Sequence, residues 1–377
     1  MIKLNFKKNI SAFIMLISLV VIAAVFSILS DGIFFYPRNI AMLARQTTIV
    51  AIMAIGMMFV IVAGHIDLSV GQMMGFAGTV AAVLQVWYKW DTAPAIIAAL
   101  FVGILGGVWH GYWVAYRKIP AFIATLGGML IFQGAKIGLG KSMSIAPMNE
   151  SFAKLGQAYI PAYIGWIIGS IAVIAMIISV IMNRRSKIKF NFQTVPVGVD
   201  IAKTIGITLV IFVAVWYLNR YQGIPMPVMI MLVLALIFSF VAKKTILGRN
   251  IFALGGNFEA ATLSGIKTKM NTVIVFVISS GLAAAAGIIL TARLNAATPA
   301  AGDGKELDAI AACVIGGTSM TGGVGSIPAV IVGALVMAAL DNGMSLINLE
   351  TYWQYIVKGL VLTFAVWADT MSKSRSE

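Results

Sequence analysis

The chain has 377 residues, of which 60% are hydrophobic and only 11% are charged. A soluble domain is about 45–50% apolar and about 25% charged, so the composition excludes an ordinary soluble fold and indicates a polytopic membrane protein. The formal net charge of +14 does not indicate a nucleic-acid-binding protein, because the sequence has no basic face with interleaved aromatic residues.

Apolar runs long enough to cross a bilayer follow one another along the chain. A transmembrane helix needs about 20 predominantly apolar residues, and unpaired backbone groups are costly in hydrocarbon, so each run is expected to be helical. We predict an all-α membrane protein, a polytopic helical bundle of about 10–12 spans with one or two broken or re-entrant segments. The runs 204–219, 226–242 and 306–321 are short enough to be broken or re-entrant. The others lie near 10–30, 40–63, 72–88, 94–116, 121–140, 163–182, 271–291, 326–347 and 353–369.

The distribution of positive charges predicts the orientation of the chain. Lys3, Lys7 and Lys8 precede a first apolar run of 21 residues. This run is longer than the ~7–15 apolar residues of a signal peptide, so we expect an uncleaved first span. Because cytoplasmic loops are rich in Lys and Arg, we predict that both termini are cytoplasmic. The cytoplasmic segments then carry 17 of the 27 Lys and Arg residues, and they are 1–9, 117–118, 183–203, 243–270 and 371–377.

A polar step flanked by glycines separates the second and third runs at 64–71. A charge inside a membrane is costly and usually marks a pathway or a buried partner, and irregular backbone is tolerated there only when it is buried in protein or lines a cavity. Asp67 therefore has two compatible interpretations. It marks a pathway, or its carboxylate caps the next helix by accepting from N–H groups near Val70.

A second glycine-rich segment, 316–326, separates two later runs in the same way and hints at a repeat of two halves. The candidate pathway or helix-break residues of the two segments are Asp67, Ser69, Gly71, Gly316 and Gly317. Four other carboxylates are predicted to be outer-interface or helix-start residues, and they are Asp303, Glu306, Asp308 and Asp341. A close helix–helix contact is predicted by small residues at four-residue spacing, namely Gly103, Gly107 and Gly111.

Residues that could perform chemistry are scarce. One cysteine, Cys313, and two histidines, His65 and His110, exclude a disulfide framework and offer no plausible metal-ligand set. No nucleophile–base pair is apparent in the spans, so we do not expect an enzyme. The segment 134–142 resembles a phosphate-binding loop, but five residues rather than four separate its outer glycines. We therefore expect no cofactor on this chain, and any ATP must be hydrolysed elsewhere.

Four motifs, taken together and in order, resemble the permease subunits of bacterial ABC importers for monosaccharides, the ribose, xylose and galactoside branch. They are IDLSVG at 66–71, KIPAFIATLG at 118–127, GRNIFALGGNFEAATLSGI at 248–266 and ELDAIAACVIGGTSMTGGVGS at 306–326. Within this branch, segments 340–346 and 352–359 are similar to D-xylose permeases, and an extra pair of spans at about 163–219 lengthens the chain. The resemblance covers nearly the whole chain. It implies that residues 1–377 form a single permease domain.

The resemblance implies a multi-pass protein of the bacterial inner membrane that works as a homodimer. Its partners would be an ATP-binding subunit, which binds ATP–Mg on the cytoplasmic face, and a periplasmic sugar-binding protein. The polar loop at 243–270 would be the coupling loop, with a short helix capped around Asn257. Its contact residues would be Gly255, Gly256, Asn257, Phe258, Glu259, Ala260, Ala261, Leu263, Ser264 and Gly265. Two alternatives stay open: an amphipathic helix lying on the inner leaflet of the lipid bilayer, and an ion-coupled secondary sugar transporter.

Overall fold

The computed structural model describes residues 6–374, and regular structure in this range is almost entirely α-helical. The only strands there, β1 (Tyr159–Ile160) and β2 (Ile224–Pro225), form one antiparallel pair. The helices are α1 (Phe6–Leu29), α2 (Pro37–Val62), α3 (Val70–Ala82), α4 (Thr92–Ala115), α5 (Ala121–Leu139), α6 (Glu150–Gln157), α7 (Ala162–Lys189), α8 (Val197–Asn219), α9 (Met226–Lys244), α10 (Ile246–Gly256), α11 (Phe258–Leu263), α12 (Thr268–Leu294), α13 (Lys305–Ile315), α14 (Ile327–Leu346) and α15 (Thr351–Ser374).

Nine helices in the described range are long and apolar enough to cross a membrane, which confirms the prediction of a polytopic all-α membrane protein. The nine are α2, α3 with its π-helical continuation to Trp87, α4, α5, α7, α8, α9, α12 and α14. The first predicted run corresponds to α1, a helix of 24 residues in which Met15–Leu29 is an apolar stretch. Lys3, which supported the predicted orientation, lies outside the described residues.

Of the three runs that were short enough to be broken, two are continuous helices. The run 204–219 lies within α8, which begins seven residues earlier at Val197. The run 226–242 lies within α9, which continues to Lys244. At its polar end α8 pairs with α7 through Arg184 and Asp200, whose charged atoms are 2.5 Å apart. The third run contains α13, whose 11 residues extend about 16 Å, roughly half of a bilayer core. Of the two predicted alternatives, a broken or a re-entrant segment, this half-length helix agrees with a broken one.

The centre of the bundle is α12, which packs along α2, α3 and α4. The contact with α4 uses the glycines at four-residue spacing: Gly103 lies against Ala284, and Gly107 lies against Val277 of α12. The expected close helix–helix face is therefore present. The extra pair of runs forms α7 and α8, which pack on each other, and the apolar side chains of both are largely exposed.

The residues after α12 turn back into the bundle. At 295–304, which we call the re-entrant loop, Ala297 first forms a backbone bridge with Ile145. Further along, the backbone of Ala301 and Gly302 lies against Gly75 and Gly71 of α3. The half-length helix α13 therefore begins beside α3 in the interior of the protein rather than at the end of the bundle.

Candidate functional site

Ala63–Ser69, which we call the first break segment, is held by a fully buried carboxylate. Asp67 Oδ1 accepts from the backbone N–H of Ser69 at 3.0 Å and from its hydroxyl at 2.6 Å, and Oδ2 accepts from Ser279 Oγ of α12 at 3.1 Å. The side chains of Asp67, Ser69 and Ser279 are all buried. A carboxylate inside a membrane protein thus has three donors, as its burial requires.

This geometry corrects one detail of the capping interpretation. The first helical residue of α3 is Val70, and its N-cap is Ser69. Asp67 accepts from the N-cap residue itself rather than from N–H groups inside the helix, because the chain turns two residues after the carboxylate. The contact is therefore a local turn that shapes the break. Whether the negative charge is needed for transport stays a prediction.

The helix after the first break segment, α3, meets the start of α13, the helix that precedes the second break segment. A Cβ atom on Gly71 would lie 2.2 Å from Glu306 Oε2 and 2.5 Å from the carbonyl oxygen of Gly302. Gly71 is thus one position where a side chain cannot fit, since α3 and the start of α13 approach each other directly. This proximity brings together two regions that are more than 200 residues apart in the sequence.

A buried lysine stabilises this meeting point, and the sequence analysis did not single it out. Lys136 of α5 has 1% of its side chain exposed and donates from Nζ to Gln72 Oε1 at 2.9 Å and to the carbonyl of Ala301 at 2.8 Å. It also pairs with Asp303 Oδ1 at 3.2 Å, and Gln72 Nε2 donates to the same oxygen at 2.9 Å. One ammonium group thus ties α3, α5 and the re-entrant loop together. The available signal was a lysine inside an apolar run.

Residues 316–326, the second break segment, follow α13 directly. Gly316 is the C-cap of α13, and a Cβ atom on it would lie 2.8 Å from the Cα of Val330 of α14, which leaves no room for a side chain. Gly317 follows in the left-handed region with a φ of +76°. Further along, Gly323 donates its backbone N–H to the carbonyl of Val62, the last residue of α2, at 2.9 Å. The second break segment is therefore bonded to the helix that leads into the first.

The coupling loop contains the short helix that was predicted. In α11 (Phe258–Leu263), the N-cap Asn257 accepts from the N–H of Ala260 at 2.8 Å. The one face that turns inward carries Ala261, which is 4% exposed, whereas Phe258 is 57% and Leu263 is 89% exposed. Asn257, Glu259, Ala260, Ser264 and Gly265 are also exposed. The helix thus presents two large apolar side chains outward from the end of the bundle.

One glycine connects the coupling loop to the end of α2 and to the second break segment. A Cβ atom on Gly255 would lie 1.7 Å from the carbonyl oxygen of Val62 and 2.9 Å from the backbone nitrogen of Gly323. The neighbouring Gly256 is exposed and has nothing within 4 Å of the same position. The end of α10 therefore rests directly on the backbone at the end of α2 and on the second break segment.

Comparison with known proteins identifies the family. Residues 39–366 match the family described as branched-chain amino acid transport system / permease component. The chain is 46% identical to the xylose transport system permease protein of Haemophilus influenzae over 97% of this chain and 98% of that protein. It is 44% identical to the xylose transport system permease protein of Escherichia coli over 98% of this chain and 94% of that protein.

A more distant relative is the ribose import permease protein of Escherichia coli, at 36% identity over 94% of this chain and 92% of that protein. No solved structure gives a significant match. These relatives are permease subunits of transport systems rather than enzymes, in agreement with the sequence analysis. The chain belongs to the family of permease components described as branched-chain amino acid transport system permeases.

Proposed function

We propose that the chain is the membrane-spanning permease subunit of an ATP-driven ABC importer that moves a monosaccharide, D-xylose, across the bacterial inner membrane into the cytoplasm. The cargo follows from the relatives: identity to xylose permeases is 44–46% over nearly the whole chain, against 36% to a ribose permease. The chain would act with an ATP-binding subunit and a periplasmic sugar-binding protein. ATP–Mg would be bound on the partner subunit.

The observation that carries this proposal is the exposed α11 of the coupling loop. Leu263 and Phe258 project from a capped helix at the end of the bundle, and exposed apolar groups in a defined position indicate a binding surface. We assign this surface to the ATP-binding subunit, with Glu259 at its polar edge. A helix of only six residues offers little apolar area to a bilayer, which argues against the lipid-surface alternative.

Gly255 supplies a physical route from that surface to the interior. Because α10 rests on the backbone of Val62 and Gly323, a displacement of the coupling loop would be transmitted to the ends of α2 and of the second break segment. Well-packed backbone contacts of this kind move together rather than deform. ATP-dependent movement of the partner would then reach Asp67 in the first break segment and Gly71 beyond it, where α3 meets the start of α13.

The proposed orientation places the coupling loop and both termini in the cytoplasm, in keeping with the excess of Lys and Arg in segments on that side. The opposite end, where α12 ends at Leu294, would then face the periplasm and the sugar-binding protein. We also propose that two copies of the chain form the working permease, because the motifs resemble those of permeases that work as homodimers.

The proposal is tested by measuring the energy source of uptake. Purified permease, ATP-binding subunit and sugar-binding protein would be reconstituted in lipid vesicles, and radiolabelled xylose uptake would be followed. We expect uptake to require ATP on the side of the coupling loop, as well as both partners, and to persist when ionophores collapse ion gradients. Uptake by this chain alone, driven by an imposed ion gradient, would contradict the proposal and establish a secondary transporter.

A further inference from the structure

A cavity with several charged side chains in its wall lies in the half of the bundle opposite the coupling loop. Its volume is about 320 Å³, and its walls include the first half of α2, the end of α12, the end of α14 and the start of α15. Along α2, Gln46 in its wall and Val62 at the coupling loop are separated by 16 residues, or about 24 Å of helix. The cavity is therefore distinct from the surface assigned to the ATP-binding subunit.

Two lysines and two aspartates form a closed network in the cavity wall. Lys305 Nζ lies 2.6 Å from Asp308 Oδ2 and 3.1 Å from Asp341 Oδ2. Lys358 Nζ of α15 lies 3.1 Å from Asp308 Oδ1 and 2.7 Å from Asp341 Oδ1. Asp308 lies in the first turn of α13, as predicted, and is fully buried. Asp341 lies inside α14 rather than at a helix start, and its side chain is 19% exposed. The network joins α13, α14 and α15.

The charges in the cavity wall cancel. Three cationic and three anionic side chains line it, namely Arg293, Lys305, Lys358, Asp303, Asp308 and Asp341. A ligand with a net charge would meet as many like charges as opposite ones, so the wall does not favour an ion. A neutral ligand with several hydroxyl groups suits it, since hydroxyls donate to carboxylates and accept from ammonium groups.

The wall also has hydrogen-bonding groups that the described residues do not fully satisfy. Gln46 Oε1 is buried in this wall and has no hydrogen-bond partner among the described residues. Lys305 and Lys358 keep 30% and 17% of their side chains exposed while paired. Buried polar atoms normally find a partner in the folded protein or in bound molecules, so the unpaired amide oxygen indicates a position for a ligand hydroxyl.

The location of the cavity connects it to the break segments. Asp303 of the re-entrant loop lines the cavity and pairs with Lys136, which lies outside the cavity wall. Met74, one turn after Gly71 of α3, forms part of the same wall. A ligand leaving the cavity toward the coupling loop would therefore next reach the place where α3 and α13 meet.

We propose that this cavity is a binding site for the transported sugar, a neutral monosaccharide of pentose size, during its passage through the permease. The proposal rests on the proposed function, which supplies the cargo. Its volume is at the small end of ligand pockets, which run from about 300 to 1,000 Å³. In this site Gln46, Asp341 and Lys358 hydrogen-bond the sugar hydroxyls, and Tyr355 at the wall provides an aromatic surface.

The test is xylose binding by the purified full chain in lipid nanodiscs, without either partner, measured by equilibrium dialysis of radiolabelled sugar. Gln46→Met removes the unpaired acceptor while preserving size, and we expect roughly tenfold weaker binding. Asp341→Asn keeps the shape of the network but changes its charge, and it should weaken binding as well. The matched control is Gln85→Met. Gln85 is also buried with one unpaired atom, Nε2, but it lies outside the cavity.

Weaker xylose binding by Gln46→Met and Asp341→Asn, with binding by Gln85→Met unchanged, supports the site. Absence of saturable binding by the unmodified chain, or equal affinities in all variants, overturns it. Size-exclusion profiles of the variants report on folding, so that unfolded protein is not scored as lost binding. If the reconstituted complex transports xylose while the cavity variants bind and transport normally, only this inference fails. If the complex does not transport xylose, the proposed function itself fails.

Discussion

The two ends of the bundle are constructed differently. At one end the coupling loop is exposed, its α11 is capped by a side chain three residues away, and Gly255 provides the close contact with the interior. At the other end, charged groups are buried and join residues 36, 50 or 167 positions apart in the sequence. We therefore expect changes on the surface of the coupling loop to alter partner binding, and changes at the opposite end to alter the fold.

Gly255 should be the strongest exception to this expectation. It lies in the coupling loop but is packed against the interior, so its substitution should alter the fold. We expect Gly255→Ala to destabilise the protein by about 3 kcal/mol or more, since the new methyl group overlaps the carbonyl of Val62 and overpacking alone costs about 1–3 kcal/mol. The measurement is the amount of folded permease in the membrane, with its apparent unfolding temperature in detergent.

Gly256→Ala is the matched control, because nothing lies within 4 Å of its new methyl group. It should leave both the amount of protein and the unfolding temperature unchanged. Equal effects of the two substitutions would show that a general loss of glycine flexibility, rather than the contact with α2, is responsible.

Lys136 tests the opposite end of the molecule. We expect Lys136→Met to lower stability by about 2–3 kcal/mol, which is less than the 3–5 kcal/mol typical of a broken buried pair, because Asp303 is 42% exposed and can be hydrated. The apparent unfolding temperature would report this loss. The double variant Lys136→Met/Asp303→Asn should recover part of it, since no carboxylate is then left without its cation. A double variant no more stable than the single one would contradict the assigned pairing.

Asp67 should show the smallest effect. An Asn side chain can still accept from Ser69 through its oxygen, and its amide can donate to Ser279 because a hydroxyl group both donates and accepts. We expect Asp67→Asn to cost at most about 1 kcal/mol and to retain xylose uptake, whereas Asp67→Leu should leave three donors unpaired and reduce the amount of folded protein. A normal amount of inactive Asn variant would show that the negative charge itself is needed.

The contacts that could be predicted from the sequence are the local ones. Asn257 caps α11 through a contact three residues away, and Asp67 bonds a residue two positions on, so both follow from short sequence patterns. The partner of Asp67 on α12 is 212 residues away, and its position depends on how the helices pack. Lys136 lies in segment 134–142, which from its sequence was considered only as a possible phosphate-binding loop. Its partner Asp303 is brought near by the re-entrant loop. The need for glycine at 255 likewise depends on where α2 ends.

The central claim is that α11 of the coupling loop contacts the ATP-binding subunit, and site-directed cross-linking measures this directly. The native Cys313 is fully buried, so a cysteine introduced at Leu263, which is 89% exposed, would be the reactive site for a thiol-specific photo-cross-linker in membranes containing the ATP-binding subunit. Leu294→Cys, at the opposite end of α12 and 47% exposed at the native leucine, is the control. We predict a cross-linked product with the ATP-binding subunit from Leu263→Cys and none from Leu294→Cys. Cross-links from Leu263→Cys to lipid alone, or equal products from both positions, would contradict the account.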